Sequence, residues 1–190
     1  MAEKNLDFDT VIDRTHTNSL KYDFAVQRGK PKDVLPLWVA DMDFQVSSYI
    51  QEALSGNVAH GIFGYSEAED SYFEAVAGWM SRHYGWNVEE TWLVKTPGIV
   101  FALAQAVRAF TEPGDAVLLQ QPVYYPFSQV IRDNGRKIVD NTLVQGEDGR
   151  YRIDFTDFEE KIRSAHVKLF FLCNPHNPVG RVWTREELLR

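Results

Sequence analysis

The octapeptide Cys173-Asn174-Pro175-His176-Asn177-Pro178-Val179-Gly180 directly follows a short apolar run, residues 167–172. A run this short, bounded at once by proline and glycine, is typical of a buried strand rather than a helix. Its prolines fix φ and remove backbone donors, so the loop is a stiff mount for Asn177, whose amide can donate and accept in one plane. Because ligands bind at the carboxyl ends of strands in open α/β sheets, the pattern predicts a ligand site at Asn177. A plain strand-to-helix turn is the alternative, since asparagine and proline are common turn residues.

The composition is typical of a globular protein with one substantial core. Of the 190 residues, 44% are hydrophobic and 25% are charged, which argues against overall disorder. The net charge of −7, without a basic stripe, disfavours nucleic acid and anionic membranes as partners. The one cysteine, Cys173, excludes an internal disulfide framework and a multi-cysteine metal site. No apolar run approaches the roughly 20 residues of a membrane span, and no signal peptide is recognisable, so we expect a cytoplasmic protein.

Strand and helix patterns alternate from Thr91 onward. This alternation predicts an α/β fold with a mostly parallel, doubly wound sheet and helices on both faces. The predicted strands span residues 91–95, 116–120, 137–143 and 167–173. The predicted helices span residues 99–110, 127–134, 156–164 (opened by Thr156 and Glu159) and a segment that begins at the capping box Thr184-x-x-Glu187. Helix 99–110 is apolar on nearly every face, so we expect it to be buried.

The segment 35–44 predicts a short strand that ends in two carboxylates. On a strand, Asp41 and Asp43 would share one face and could bind a cation. No histidine or third carboxylate stands nearby to complete a metal shell, which favours a core strand that runs into a capping loop. Two helices are predicted after it, one over 48–58 that Ser48 and Gln51 would cap and one over 69–84 that Gly85 ends.

Three loops at predicted strand ends carry residues that could contact a ligand. Thr96-Pro97-Gly98 precedes a helix, and such a turn can present helix N–H groups to an anion such as phosphate. One glycine is far from a phosphate-loop fingerprint, so a simple turn remains open. After the next strand, Tyr124 or Tyr125 could offer a flat ring to a ligand. In a parallel sheet these loops would meet the Asn177 loop at one edge and suit a flat, phosphorylated, heteroaromatic molecule.

Four segments resemble the fold-type I pyridoxal-phosphate enzymes of the aminotransferase class I/II superfamily. In chain order they are residues 37–44 (Leu-Trp-Val-Ala-Asp-Met-Asp-Phe), 60–65 (His-Gly-Ile-Phe-Gly-Tyr), 96–100 (Thr-Pro-Gly-Ile-Val) and 174–180 (Asn-Pro-His-Asn-Pro-Val-Gly). The last marks only the superfamily, whereas the first is similar to the cystathionine β-lyase (C–S lyase) group of the MalY/PatB type. The resemblance implies the transferase fold of that superfamily, a three-layer α/β sandwich of which this chain is an incomplete large domain.

The resemblance also implies how pyridoxal 5′-phosphate would be held. Asn177 would hydrogen-bond the phenolic oxygen of the cofactor ring, and Tyr124 would stack on the ring. Backbone N–H groups around Gly98, Ile99 and Val100 would hold the phosphate.

Further roles implied by the resemblance concern a partner subunit and the substrate. Tyr65 would reach across a homodimer interface to the partner's phosphate. Trp38, Ala40 and Asp41 would line the substrate side, near the α-carboxylate of a small amino-acid substrate. Residues 1–45 would contribute to the small domain and the substrate side, and residues 46–190 would form the first part of the cofactor-binding large domain.

The superfamily's Schiff-base lysine lies well beyond its Asn-Pro-x-Asn-Pro motif. The lysines present here stand in strands or in polar contexts, whereas such a lysine must be desolvated and aimed at the cofactor. We therefore predict no catalytic residue and no metal ligand within these 190 residues, and we expect them to be about half of an enzyme.

The predicted activity of the whole enzyme is carbon–sulfur β-elimination from cystathionine or a related cysteine conjugate, which gives pyruvate, ammonia and a thiol. A pyridoxal-phosphate-dependent aminotransferase on the same scaffold is one alternative, and an inactive fragment without the Schiff-base lysine is another. A nucleotide-binding Rossmann module is disfavoured, because the sequence has no Gly-x-Gly-x-x-Gly.

Overall fold

The computed structural model describes residues 7–190. These residues form two compact units, and the boundary in the sequence falls between Glu69 and Asp70. Residues 1–6, which belong to the predicted N-terminal segment 1–45, lie outside the described residues. The predicted boundary at residue 45 concerns the small and large domains of a whole enzyme and stays a prediction. None of the helices within residues 7–190 is both long and apolar enough to cross a membrane.

The first unit, residues 7–69, contains a 3₁₀ turn at Val26–Arg28 and one α-helix, α1 (Ser48–His60). The predicted helix 48–58 is confirmed, but its predicted cap is wrong. Ser47 is the N-cap and makes no side-chain cap bond, while Gln51 Nε2 donates to the carbonyl of Val46 at 2.8 Å. Short polar side chains near a helix start offer several local hydrogen bonds, so the pattern alone does not select one.

The predicted strand over residues 35–44 is wrong. This segment has no regular secondary structure and pairs with no strand of the described residues. Val39 has a φ of +61°, a left-handed conformation that interrupts an extended course and that β-branched residues rarely adopt. The segment is held instead through the two carboxylates at its end.

The second unit begins with α2 (Asp70–Tyr84), within one residue of the prediction. Gly85 ends it as predicted, with a φ of +61° and its N–H donating to the Ser81 carbonyl at 3.0 Å. The predicted strand over 91–95 is wrong, because Glu90–Trp92 forms a 3₁₀ turn. The chain then reaches α3 (Ile99–Phe110), whose predicted limits are confirmed.

A parallel sheet organises the rest of this unit. Its strands are β1 (Ala116–Leu119), β2 (Lys137–Asp140) and β5 (Leu169–Phe170), in the order β2-β1-β5. The other elements are α4 (Pro126–Asp133), the antiparallel pair β3 (Val144–Gln145) and β4 (Tyr151–Arg152), α5 (Phe155–Ser164) and α6 (Arg185–Leu189). The predicted parallel sheet is confirmed, with Leu118 opposite both Val139 and Phe170.

Helices cover both faces of this sheet. Val117 and Leu119 point to one face and pack with Val107 of α3 and Ile131 of α4. Side chains alternate along a strand, so Leu118 points to the other face. That face meets α5, since Phe158 packs edge to face against Phe170 of β5, with ring centroids 5.1 Å apart. The predicted three-layer arrangement is therefore confirmed.

Helix α3 is less buried than its sequence predicts. Val107 is fully buried, but Ile99 and Phe110 remain 72% and 70% exposed. Only the face with Leu103, Ala104 and Val107 meets the core. Within residues 7–190 the other apolar face stays open, so the prediction of a buried helix is wrong for this part of the chain.

Two helix starts in this unit test the predicted caps. Helix α5 is capped by Asp154, whose side chain accepts from the N–H groups of Thr156 and Asp157, so Thr156 does not open it. Helix α6 begins with the predicted capping box, in which Thr184 and Glu187 bond each other's backbone N–H groups.

Candidate active site

The loops that follow β1 and β5 lie side by side at the carboxyl ends of adjacent parallel strands. His176 Nε2 is 3.1 Å from the carbonyl oxygen of Pro122. His176 is 2% exposed, and its burial lowers the pKa of the imidazole below its usual value. Two of the three loops expected at one sheet edge are therefore in direct contact.

The Asn177 loop is folded onto its own start. The Cys173 thiol donates to the Pro175 carbonyl at 3.4 Å and accepts from the Asn177 N–H at 3.5 Å. Trp183 Nε1–H donates to the Cys173 carbonyl at 3.1 Å. The Asn177 side chain is exposed and makes no hydrogen bond to any other residue from 7 to 190. Its backbone is therefore held while its amide faces outward.

Tyr124 stands where the other loop enters α4. Its carbonyl accepts from the N–H of Phe127 at 3.0 Å, which continues the loop into the helix. Tyr124 is 40% exposed, and its ring meets Tyr125 edge to face at a centroid distance of 5.3 Å. One ring surface is thus supported by protein and part of the ring is open to a ligand.

The start of α3 is suited to an anion. Gly98 is its N-cap, with φ of 136° and ψ of 165°, and no side chain caps this end. The first N–H groups of a helix have no partner within the helix and carry the positive end of its dipole. A Cβ placed on Gly98 would meet no atom within 4 Å, so the backbone at this N-cap is not covered by other residues of the described chain. The turn and helix predicted here are confirmed, without the preceding strand.

Taken together, these groups fit pyridoxal 5′-phosphate by their chemistry. An uncapped helix terminus can hold its phosphate, a half-open tyrosine can stack on its ring, and an outward amide can bond a ring substituent. The unit 7–69 contains the other residues that the sequence singled out, which are Trp38, Ala40, Asp41 and Tyr65.

The carboxylates of Asp41 and Asp43 are held by two cationic side chains that the sequence analysis missed. Arg14 forms salt bridges with both. Lys21 is 5% exposed, and its Nζ donates to the Asp41 carbonyl at 3.0 Å and to Asp43 Oδ2 at 3.1 Å. The hydrogen bond from Arg14 lowers the pKa of the Asp43 carboxyl, and Lys21 lowers it further. The two carboxylates thus bind cations of the chain itself.

Comparison with known proteins assigns the chain. The sequence profile described as "Aminotransferase class I and II" matches residues 32–190. The chain belongs to this family. The resemblance that the four sequence segments indicated is thereby confirmed, and so is the α/β fold expected from it.

Three proteins with known names are similar to this chain. Cystathionine beta-lyase PatB of Bacillus subtilis (strain 168) is 48% identical over 185 residues, which cover 97% of this chain and 48% of PatB. Protein MalY of Escherichia coli (strain K12) is 32% identical over 183 residues, which cover 96% of this chain and 47% of MalY. The crystal structure of cystalysin from Treponema denticola, which contains pyridoxal 5′-phosphate, matches with a TM-score of 0.88 at 37% identity, over 97% of this chain and 47% of cystalysin. The chain spans about half the length of the curated relatives it matches.

Lys21→Met should raise the pKa of Asp43 toward the usual aspartate value. The substitution keeps an aliphatic side chain of similar length but removes one of the two cations that favour the charged carboxylate. Arg14 remains, so the shift is partial. A pKa lowered by folding adds stability above the unfolded-state pKa, and this stability disappears as the pH falls through the folded-state value. Part of this acid-dependent stability should therefore be lost in the variant.

A carbon-13 titration of the aspartate carboxyls measures this effect directly. The exposed Lys32 provides the matched control, because Lys32→Met removes one positive charge from the same unit, residues 7–69. Equal Asp43 pKa values in Lys21→Met and Lys32→Met would contradict the assigned role of Lys21.

Proposed function

We propose that this chain supplies the ring and phosphate contacts of a pyridoxal-phosphate-dependent C–S β-lyase. The whole enzyme would cleave cystathionine or a related cysteine conjugate, with water, to pyruvate, ammonia and a thiol. The observation that carries the proposal is the contact between the Tyr124 and Asn177 loops at the carboxyl ends of β1 and β5. The identity to PatB over nearly the whole chain supports the choice of reaction.

The proposed contacts hold two parts of the cofactor, its phosphate and its ring. When bound, pyridoxal phosphate supplies an electron sink for the negative charge that develops at the substrate Cα. The backbone N–H groups of Gly98, Ile99 and Val100 hold the phosphate dianion at the start of α3. Tyr124 stacks on the ring, and the amide of Asn177 donates to the phenolic oxygen, which stabilises negative charge on that atom.

The substrate side and the homodimer are also part of the proposal. Trp38, Ala40 and Asp41 would line the site of the amino-acid carboxylate. Since the Asp41 side chain is bonded by Arg14 and its carbonyl by Lys21, Asp41 would act by fixing this segment. Tyr65 is fully exposed and directly follows Gly64, which suits a residue that reaches the cofactor phosphate of a second copy.

A pyruvate assay on the whole protein, as its gene encodes it, tests the reaction. Loaded with pyridoxal phosphate and given cystathionine, it should release pyruvate without any added 2-oxo acid. A strict requirement for a 2-oxo acid acceptor would instead identify the aminotransferase alternative. Absence of both reactions in cofactor-loaded protein would contradict the proposal.

A pair of asparagine variants ties this activity to the site. Asn177→Ala should lower pyruvate release by about tenfold or more, the usual scale for loss of a hydrogen bond to a charged atom. Asn57→Ala, in which the lost side chain only donates to its own helix at Ala53, should keep the parent rate. Equal rates in the two variants would remove Asn177 from the site.

A further inference from the structure

We propose that His176 is a positioning residue, whose Nε2–H holds the Asn177 loop against the Tyr124 loop by donating to the main-chain oxygen of Pro122. The inference rests on the proposed function, since Asn177 and Tyr124 matter together only if both contact one bound ring. It adds a residue that touches neither cofactor nor substrate and acts through the two that do.

The hydrogen bond joins the two loops close to their functional side chains. His176 directly precedes Asn177, and Pro122 stands two residues before Tyr124. The 3.1 Å contact between His176 Nε2 and the Pro122 oxygen therefore fixes the spacing between the amide donor and the stacking ring. β1 and β5 pair only through short registers, Val117 to Leu169 and Leu118 to Phe170, so the loops beyond them need a further link.

The imidazole is enclosed in a way that gives it one orientation. Its ring lies perpendicular to the Trp183 indole, at 86° and a centroid distance of 5.5 Å. Trp183 is itself fixed, since its backbone N–H donates to Asn174 Oδ1 at 3.1 Å. The His176 N–H donates to the Arg181 carbonyl at 2.6 Å, and the His176 carbonyl accepts from the Gly180 N–H at 2.8 Å. The ring cannot leave Pro122 unless the loop opens.

The chemistry of the contact fixes the tautomer. A carbonyl oxygen only accepts, so the hydrogen must reside on Nε2. Nδ1 is buried and has no hydrogen-bond partner among residues 7–190. A second proton would place a positive charge in a buried site, and burial lowers the pKa of the imidazole although the nearby carbonyls of Gln120 and Cys173 oppose this effect. His176 thus serves as a neutral, one-directional donor and takes no part in proton transfer.

Two amide substitutions separate the hydrogen bond from simple filling of space. His176→Gln places a donor near the Nε2 position, whereas His176→Asn reaches only as far as Nδ1. His166→Asn, an exposed position after α5, is the matched control. We use the whole protein with pyridoxal 5′-phosphate as the probe, and measure its dissociation constant by fluorescence and the pH midpoint of the bound cofactor's absorbance change.

His176→Asn should weaken cofactor binding by about tenfold, the cost of losing the hydrogen bond that joins the two loops. The absorbance midpoint should rise, because a displaced Asn177 no longer stabilises the ionised phenolic oxygen. His176→Gln should stay within about threefold of the parent protein in affinity, and His166→Asn should match it. Equal defects in the Asn and Gln variants, or parent-like values in both, would overturn the proposal.

A measurement without cofactor distinguishes this inference from the proposed function. Nitrogen-15 NMR of the parent protein should show His176 as the Nε2–H tautomer at neutral pH. Amide hydrogen exchange at Asn177 should accelerate in His176→Asn but not in His176→Gln. If the parent protein binds no pyridoxal phosphate, the proposed function fails, while these two readouts still decide whether His176 fixes the loop. A bare Nε2, or exchange at Asn177 that is equal in both variants, refutes it.

Discussion

Replacing Leu118 by alanine should lower the free energy of unfolding of the unit 70–190 by about 3–4 kcal/mol. Leu118 is 0% exposed and belongs to the central strand, with Val139 and Phe170 as its neighbours on the two flanking strands. Its side chain lies on the sheet face that meets α5 through Phe170 and Phe158. Strands on both sides prevent the sheet from closing over the space that alanine leaves, so the loss exceeds that of hydrophobic transfer alone.

Denaturant unfolding followed by far-UV circular dichroism measures this loss. Leu189→Ala removes the same atoms from an exposed position of α6 and should change stability by less than about 0.5 kcal/mol. A Leu118→Ala loss as small as that of the control would mean that the face toward α5 is not tightly packed.

Gly98→Ala should weaken binding of pyridoxal 5′-phosphate by more than about tenfold, through the backbone alone. The φ of 136° and ψ of 165° at Gly98 lie in a region that is essentially restricted to glycine and that costs other residues about 1–3 kcal/mol. The added methyl group meets no atom within 4 Å, so steric contact is not the cause. The chain relieves the strain by rotating the peptide, and this turns the N–H groups at the start of α3 away from the anion.

Fluorescence titration of the whole protein with the cofactor measures this effect. Gly56→Ala is the matched control, because Gly56 lies within α1, also has open space around it and has no positive φ. The control should retain the parent affinity and gain slightly in helix stability. Equal affinities in the two glycine variants would remove the start of α3 from phosphate binding.

The sequence predicts the helices of this protein better than its strands. Limits of α2 and α3 follow from local signals, such as the apolar period of α2 and the stop at Gly85. The runs 35–44 and 91–95 are rich in apolar residues, as buried strands are, but neither of them forms a strand. A strand requires a partner at a distance in the chain, and no local pattern reports whether one exists.

The same distinction applies to the candidate site. Tyr124 and Asn177 could be singled out because each follows a strand whose carboxyl end was recognisable. Arg14 and Lys21 were missed, since their pairing with Asp41 and Asp43 joins segments more than twenty residues apart. The role of His176 was missed for the same reason, although it stands inside the most informative octapeptide. One signal was available in the sequence: His176 is a polar residue between two prolines, at a position where a turn does not require histidine.

Modification of the Cys173 thiol can report how often the Asn177 loop opens. Cys173 is the one cysteine of the chain, it is buried, and its sulfur lies between the Pro175 carbonyl and the Asn177 N–H. A thiol reagent can reach it only after these contacts separate. The rate of modification therefore records how often the loop opens, and its dependence on reagent concentration separates the opening rate from the opening equilibrium. For residues 1–190, one colorimetric labelling trace can thus follow the opening of the segment that presents Asn177.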